Sequence, residues 1–313
     1  MTRIAAQLSP QRSTQYSNLP RDLAAAEVLA SPLGTGLQDV SLRSIAGQDY
    51  LTFGLPGPIT DEAGRLLASM AMLGGVFEAF DSIGDVSGPL LRPVPATHPT
   101  FISPDMAATR RYKGKTNEVF THFLCNMAKY ASDFHSSDWS TLDVVDPLCG
   151  GGTTLFTALS LGADVAGLDA DRTDVESTAA FITQYCRENR IALATKEERL
   201  RKLGARRWLF QIGRDDVRRC MLALGDAGRT SELLAGFGRP HLIVTDLPYG
   251  IQHSGPLPGL LIRLSPWTAG SGSFFPQRNP HERSDLPHLD LPRAAHPFEE
   301  LVHLPQLQLV RGR

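Results

Sequence analysis

Residues 142–154, Leu-Asp-Val-Val-Asp-Pro-Leu-Cys-Gly-Gly-Gly-Thr-Thr, decide the fold class. The apolar start predicts a buried strand, the three glycines predict a tight turn, and residues 155–161 before Gly162 predict a helix. Glycine lets the backbone pass close to a ligand, and the N–H groups at a helix start favour an anion such as a carboxylate. A strand, a glycine turn and a helix in this order indicate an α/β fold with a ligand at the strand end.

Two further strands are predicted to end on carboxylates. Residues 163–168 form an apolar run that ends on Asp169, about 20 positions past the glycine turn, where a carboxylate suits a ribose diol. Asp171 predicts the N-cap of the next helix. Residues 221–227 predict another strand, and Asp226 at its end suits an adenine amino group. The expected architecture is a doubly wound, Rossmann-like α/β sheet.

A fourth strand is predicted at residues 241–245, and the tetrapeptide Asp246-Leu247-Pro248-Tyr249 follows it before Gly250. The Asp246 carboxylate and the Leu247 carbonyl can accept the two N–H bonds of an exocyclic amino group. Pro248 fixes the turn, and the Tyr249 ring can stack on a planar base. Taken alone, these residues also fit a strand that runs into an ordinary proline turn.

These motifs together resemble the class I S-adenosylmethionine-dependent methyltransferases, in the branch that methylates amino groups of nucleic-acid bases. The resemblance covers about residues 105–253, and within it residues 111–121 are similar to the segment that closes over the cofactor. It implies that S-adenosyl-L-methionine is the cofactor. The implied cofactor-binding residues are Asp146, Gly150, Gly152, Asp169, Asp226, Ala227 and Thr116, and the implied catalytic residues are Asp246, Leu247, Pro248 and Tyr249.

The sequence Asp-Leu-Pro-Tyr-Gly at 246–250 looks most like the tRNA guanine-N2 methyltransferases of the Trm11 and THUMP type. The resemblance therefore implies methyl transfer to guanine N2 in tRNA, with the base leaving its stack to enter the site. A DNA adenine-N6 or cytosine-N4 methyltransferase would share the other motifs, although those enzymes usually carry Asn-Pro-Pro-Tyr or Ser-Pro-Pro-Tyr.

Net charge, hydropathy and cysteine spacing limit the classes of protein to which the chain could belong. The 313-residue chain has a net charge of −2 and no apolar run near the ~20 residues of a membrane span, so we expect a cytoplasmic protein without membrane contact. The four cysteines lack metal-ligand spacing and predict reduced thiols and no metal site. Cys149 in the glycine turn is not expected to be a nucleophile, because transfer to an amine needs no covalent intermediate.

The charge distribution within residues 187–219 allows two interpretations. Near-neutral net charge is weak evidence for a nucleic-acid binder. Residues 187–219, however, hold eleven Arg or Lys against five Asp or Glu, with Trp208 among them. Such a stretch fits either a solvated helix face or a patch that contacts phosphates.

Three regions are predicted along the chain. Residues 1–97 form an accessory α+β unit, with helices at 22–30 and 60–80 and a strand at 50–53. Residues 98–255 form the methyltransferase domain, after a proline-rich linker at 92–99. Residues 256–313 form a Pro/His-rich tail that we expect to be largely irregular.

The tail does not show the strands that a complete sheet of this class would need. Its last 61 residues, from His253, hold nine of the 22 prolines and five of the nine histidines, and after Trp267 no run resembles a buried strand. We expect one short helix near Leu260 and no complete set of closing strands, either because the tail is irregular or because the reading frame is altered. The sheet would then be incomplete, with an exposed edge on the strand that ends at Thr245, which a homodimer or a partner subunit would cover.

Three alternatives to the tRNA enzyme remain. A DNA amino-methyltransferase is separated from it only by its substrate. A degenerate protein that binds the cofactor without catalysis is favoured by the tail. A nicotinamide dehydrogenase shares the glycine turn and the acidic residue, but it leaves residues 246–249 without a role and lacks the G-x-G-x-x-G spacing.

Overall fold

A computed structural model describes residues 1–11, 16–246, 272–276 and 307–311. The helices are α1 (Leu19–Ala30), α2 (Asp61–Ala68), α3 (Asp105–Thr109), α4 (Glu118–Tyr130), α5 (Thr153–Leu161), α6 (Arg172–Glu188) and α7 (Thr230–Leu233). The strands are β1 (Thr2–Leu8), β2 (Gln38–Ile45), β3 (Gln48–Leu55), β4 (Leu73–Ile83), β5 (Val86–Pro93), β6 (Asp143–Asp146), β7 (Asp164–Asp169), β8 (Leu193–Leu200), β9 (Ala205–Ile212), β10 (Arg218–Leu224), β11 (Leu242–Val244), β12 (Gly272–Pro276) and β13 (Leu307–Arg311).

The larger sheet has the strand order β13-β12-β11-β6-β7-β10-β9-β8. Its central strands, from β12 to β10, run parallel, and antiparallel strands flank them on both sides. The order reverses at β6, because β7 and β10 follow on one side while β11 and β12 follow on the other. The predicted doubly wound, Rossmann-like class is confirmed, and the gap between β6 and β11 is its topological switch point.

Burial explains why these short strands form. Val144, Val165 and Leu222 face one side of the sheet and belong to a core shared with α4, α5 and α6. Val145 and Ala166 face the other side and pack with α7 and the segment that follows it. Strands covered on both faces are nearly continuous apolar runs, as the sequence shows here.

The smaller sheet contains the first five strands in the order β2-β3-β1-β4-β5, all antiparallel. The strand predicted at 50–53 lies inside β3, and α1 covers the predicted helix at 22–30. The core of this sheet, with Ile4 and Phe53, is continuous with the core around Phe123 of α4 and Phe156 of α5. Residues 1–93 are therefore packed onto the larger sheet through helices rather than tethered to it by a linker alone.

The helix predicted over 60–80 is only partly correct. The Thr60 hydroxyl caps α2 by accepting from the Ala63 N–H, but α2 ends at Ala68. From Leu73 onward the chain forms β4, which pairs with both β1 and β5. The adjacent glycines Gly74 and Gly75 disfavour helix, and pairing with two strands decides the conformation of the apolar run.

The tail supplies two strands, whereas no complete set of closing strands was expected, and the expectation of an exposed edge on the strand that ends at Thr245 is wrong. β12 pairs in parallel with β11, and β13 pairs antiparallel with β12, so the edge that was predicted to be exposed is covered. Proline does not prevent this, because the pairing of β12 with β11 ends at Phe274 and Pro276 lies beyond it. The helix predicted near Leu260 and the histidine-rich stretch after residue 276 lie outside the described residues.

Among the described helices, even the 17-residue α6 does not combine the length and apolar character that a bilayer span requires.

Candidate functional site at the carboxyl edge of the parallel strands

The predicted site residues follow strands that end at one edge of the larger sheet. In the parallel register Asp146 of β6 is paired with Gly167 of β7, and Asp169 of β7 is paired with Leu224 of β10. On the other side of β6, Ile243 of β11 is paired with Val145. The glycine turn and Asp246 therefore flank the topological switch point, where doubly wound sheets bind ligands.

The glycine turn has the predicted geometry. Gly150 and Gly152 adopt positive φ angles of 46° and 88°, and Gly152 is the N-cap of α5, whose end is capped by Gly162 in the left-handed region. A Cβ atom placed on Gly150 would have no other atom within 4 Å, so the space above this residue is open. A side chain at either position would be strained, which explains the requirement for glycine.

Asp169 is held by two backbone donors. Its Oδ2 accepts from the Gly150 N–H and its Oδ1 accepts from the Asp171 N–H, both at 2.9 Å. Each carboxylate oxygen can accept more than one hydrogen bond, so this half-buried group can still receive both hydroxyls of a diol. Asp171 in turn caps α6, as predicted, by accepting from the N–H groups of Thr173 and Asp174.

Asp226 lies beyond the neighbouring strand end. It is exposed, and its carboxylate caps a short 3-10 helix that begins at Ala227 by accepting from the Gly228 N–H at 2.8 Å. Because Leu224 is paired with Asp169, the two carboxylates follow adjacent strands. A nucleoside with its ribose at Asp169 would extend toward Asp226, and the open space at Gly150 lies next to the same carboxylate. These residues therefore fit the cofactor that the sequence implies.

Asp146 is buried at the end of β6, directly before the glycine turn. Only 2% of this residue is exposed, and its Oδ1 accepts from the Leu148 N–H at 3.0 Å. Burial raises the pKa of the Asp146 carboxyl to about 7, although the hydroxyls of Thr245 and Thr154 and the Leu148 N–H oppose this shift. Its burial indicates that Asp146 acts through the shape of the turn rather than by direct contact with a ligand from solvent.

Tyr112 covers the middle of the glycine turn. A Cβ atom placed on Gly151 would lie 2.5 Å from its ring, and its hydroxyl is 2.7 Å from the Thr153 hydroxyl at the start of α5. Burial raises the pKa of Tyr112 to about 12, so the phenol is neutral. The Arg110 guanidinium lies 5.6 Å from the centre of the same ring and donates to the Ser177 hydroxyl.

Asp246 and Thr116 lie together beyond the end of β11. The half-buried Asp246 follows β11, and its Oδ2 accepts a hydrogen bond of 2.5 Å from the Thr116 hydroxyl. The pKa of Tyr16 is raised by burial and, to a smaller extent, by the charge of Asp246. Leu247, Pro248 and Tyr249 lie outside the described residues.

Sequence analysis missed the roles of Tyr112, Arg110 and Tyr16. The first two belong to or adjoin the segment interpreted as closing over the cofactor, but no pattern marked individual side chains. Tyr16 is separated from Asp246 by most of the chain, so only the tertiary fold lets the charge of Asp246 affect its pKa. Thr116 was assigned to the cofactor, whereas its hydroxyl bonds the Asp246 carboxylate.

The basic stretch at 187–219 is not the helix face that was one of its two interpretations. About half of it forms the antiparallel strands β8 and β9, where Arg207 pairs with Glu198 and Arg206 pairs with Glu197 and with Glu176 of α6. Trp208 is 7% exposed, with the Arg206 guanidinium 5.0 Å from its ring centre. The strand period explains the charge pattern of β8 and β9, since cross-strand pairs join these charges. Contact of this stretch with phosphates stays a prediction.

The four cysteines are free and buried. Burial raises the pKa of the Cys149 thiol well above its usual value, and the charges of Asp146 and Asp169 add to this effect. A thiol in this state is a poor nucleophile. Within the described ranges, no cluster of three or more histidine, cysteine, aspartate or glutamate side chains is arranged to hold a metal ion.

Comparison with known proteins adds little to this geometry. No protein-family model matches the chain, and no curated protein is similar to it. Among solved structures, TehB from Haemophilus influenzae is 14% identical over 56% of this chain and 45% of its own, with a TM-score of 0.33. Trm5b from Pyrococcus abyssi is 11% identical over 80% of this chain and 77% of its own, with a TM-score of 0.20.

The matched part of the chain thus spans less than half the length of TehB. Both likenesses are too low to carry an argument about activity. The assignment of the fold class depends on the strand order and on the glycine turn at the switch point.

Proposed function

We propose that the protein transfers a methyl group from S-adenosyl-L-methionine to an exocyclic amino group of a nucleic-acid base, with guanine N2 in tRNA as the favoured target. The observation that carries this proposal is the position of Asp246. It follows β11, across the switch point from the glycine turn that follows β6, so a carboxylate that can hold an amine lies beside the expected methyl donor.

Each part of the site has a task in this proposal. The cofactor, when bound, supplies a methyl group on a sulfonium, which is electrophilic enough for direct displacement. Asp169 receives the ribose hydroxyls, Asp226 the adenine amino group, and the N–H groups at the start of α5 face the methionine carboxylate. Gly150 and Gly152 let the backbone approach, and Ala227 lines the adenine end.

On the acceptor side, Asp246 accepts an N–H hydrogen bond from the target amine and so directs the nitrogen lone pair at the methyl group. The cofactor bound there would supply the methyl group and would keep the bonding electrons as a neutral thioether, and Asp246 would take the proton that the methylated nitrogen loses. The Leu247 carbonyl would accept the second N–H, and the Tyr249 ring would stack on the base. The roles of residues 247–249 stay predictions from the sequence.

Strands β12 and β13 bear on two expectations from the sequence, the degenerate protein and the partner subunit. The degenerate protein was favoured by a tail without closing strands, and β12 and β13 remove that argument. The same strands remove the motive for a partner subunit at the edge of β11. A DNA amino-methyltransferase remains the second candidate, because it would use the same carboxylates at the same strand ends; only the tetrapeptide Asp-Leu-Pro-Tyr favours tRNA guanine.

The test is methyl transfer from labelled S-adenosylmethionine to total tRNA, rRNA and DNA in separate reactions, followed by nucleoside analysis. We expect N2-methylguanosine in tRNA, and we expect Asp246→Ala to reduce the rate by at least about 100-fold, the scale of a lost acid–base group. Labelled N6-methyladenine or N4-methylcytosine in DNA would instead establish the second candidate. A wild-type protein that binds the cofactor and labels no nucleic acid would contradict the proposal.

A further inference from the structure

We infer that Thr116 is a positioning residue of the acceptor side, which holds the Asp246 carboxylate, and that it does not bind the cofactor. This inference rests on the proposed function, because it assigns Asp246 to the target amine. Thr116 and Asp246 are 130 positions apart in sequence, yet the hydroxyl of one lies 2.5 Å from Oδ2 of the other. This distance is at the short end of the range for a hydroxyl bound to an ionised carboxylate.

The backbone around Thr116 is fixed on both sides. The Lys115 ammonium forms an ion pair with Glu118 at 3.1 Å and donates to the Ala108 carbonyl at 3.4 Å. On the other side, the Asn117 side chain caps α4 by accepting from the N–H groups of Val119 and Phe120, both at 2.9 Å. Thr116 therefore lies directly before the N-cap of α4, between two residues whose side chains are held by these contacts.

The helix that presents Thr116 is itself part of the core. Most of α4 is buried, including Phe123 at 0% and Leu124 at 1% exposure, and the helix lies against β11, whose end carries Asp246. The donor and the acceptor are thus held by two elements that pack directly on each other. A hydrogen bond between groups fixed in this way costs little conformational entropy to form.

Thr116 could be assigned either to Asp246 or to the cofactor, and the chemistry of its hydroxyl distinguishes these two roles. A threonine hydroxyl has one proton, and a proton donated to Asp246 is not available to the carboxylate of a cofactor, which needs donors. A bond to one carboxylate oxygen restricts rotation of the group about the Cβ–Cγ bond. Thr116 thereby sets the direction in which the other oxygen of Asp246 meets the target amine, and orientation of this kind contributes to the rate rather than to cofactor affinity.

The test uses Thr116→Val, which keeps the shape and removes the hydroxyl, and Thr116→Ser, which keeps the hydroxyl. The matched control is Thr121→Val, because the Thr121 hydroxyl bonds the Asn117 carbonyl at the same helix start. We expect Thr116→Val to lower kcat by about 10- to 100-fold, the scale of a lost charge-assisted bond. The Kd of S-adenosylmethionine should stay within about twofold, Thr116→Ser should retain most of the activity, and Thr121→Val should leave kcat unchanged.

Several kinetic outcomes overturn the inference. One is a normal kcat in Thr116→Val, and another is a weakened cofactor Kd with kcat preserved, which would return Thr116 to the cofactor. Equal losses in Thr116→Val and Thr116→Ser would also overturn it, because the hydroxyl would then not be the group that matters.

A second measurement does not depend on methyl transfer. The free energy of unfolding is measured by urea titration for wild type, Thr116→Val, Asp246→Asn and the double variant. Coupled side chains predict that the double variant loses no more stability than the worse single variant, whereas additive losses overturn the inference whatever the activity of the protein. An inactive wild type with coupled stabilities would reject the proposed function while supporting the contact, so the two failures are distinguishable.

Discussion

Asp146 is a buried titratable residue directly before the glycine turn. Burial raises the pKa of its carboxyl to about 7, so the folded protein holds this proton in a range where the unfolded chain has released it. The folded state binds more protons between about pH 4, the usual value for aspartate, and pH 7. The contribution of this group to stability is therefore greatest at low pH, falls as pH rises through that window, and changes no further above it.

We predict that Asp146→Asn makes the free energy of unfolding less dependent on pH. The asparagine oxygen can still accept from the Leu148 N–H, and the amide carries no charge to bury. The free energy of unfolding of Asp146→Asn minus that of wild type should increase from pH 5 to pH 8 in urea titrations. The matched control is Asp85→Asn in the exposed turn between β4 and β5, whose difference from wild type should not change between the two pH values. A difference for Asp146→Asn that stays constant or decreases would refute the assignment.

Single residues also show what sequence could reveal. Gly150, Gly152, Gly162, Asp169 and Asp171 were assigned from local rules, since positive φ and capping depend on few neighbours. Tyr112 was missed, because its contact with the glycine turn depends on how a segment some 40 positions away folds over it. The bond from Thr116 to Asp246 was missed for the same reason, because it joins residues from distant parts of the chain.

At the scale of elements, a buried carboxylate joins the smaller sheet's helix to α4. Glu27 of α1 is fully buried and accepts from the N–H groups of Ala71 and Met72 and from the Asn126 amide of α4, at 2.8–2.9 Å. Burial raises the pKa of Glu27, and these three donors oppose the shift. The Glu27 carboxylate thus accepts hydrogen bonds from backbone N–H groups in the segment that connects α2 to β4.

We predict that Glu27→Ala lowers the free energy of unfolding by roughly 2–5 kcal/mol, because it leaves several buried donors without an acceptor. Glu27→Gln should cost less, since its amide oxygen keeps some of the bonds. Glu62→Ala at the exposed start of α2 serves as the control and should cost under about 1 kcal/mol. Chemical denaturation measures all three, and a Glu27→Ala protein as stable as the control would show that these bonds contribute nothing.

The elements that sequence misjudged share one cause. Residues 73–80, strands β8 and β9, and the five-residue strands β12 and β13 all owe their conformation to pairing with other strands. Helical spacing, charge runs and proline content are local properties and do not report such pairing. The central strands were predicted because burial on both faces leaves a continuous apolar run in the sequence itself.

At the scale of the whole molecule, residues 272–276 and 307–311 complete one side of the larger sheet. We predict that a chain ending at residue 260 associates or aggregates, because the edge of β11, with Leu242 and Ile243 fully buried in the complete fold, would be uncovered. A chain ending at residue 306 keeps β12 and should associate less. Size-exclusion chromatography with light scattering compares the two with the full chain. A chain of 1–260 that is monodisperse and as stable as the full protein would argue that β12 does not cover this edge.

The central claim is that one sheet edge binds the cofactor at Asp169 and the target amine at Asp246, on opposite sides of the switch point. Calorimetric titration of S-adenosylmethionine into wild type, Asp169→Ala and Asp246→Ala tests it most directly, with thermal unfolding to verify that each variant is folded. We expect binding to wild type, affinity weakened by roughly 1–3 kcal/mol in Asp169→Ala, the scale of lost charge-assisted bonds, and nearly unchanged affinity in Asp246→Ala. Absence of binding to wild type, or equal affinity in wild type and folded Asp169→Ala, would contradict it.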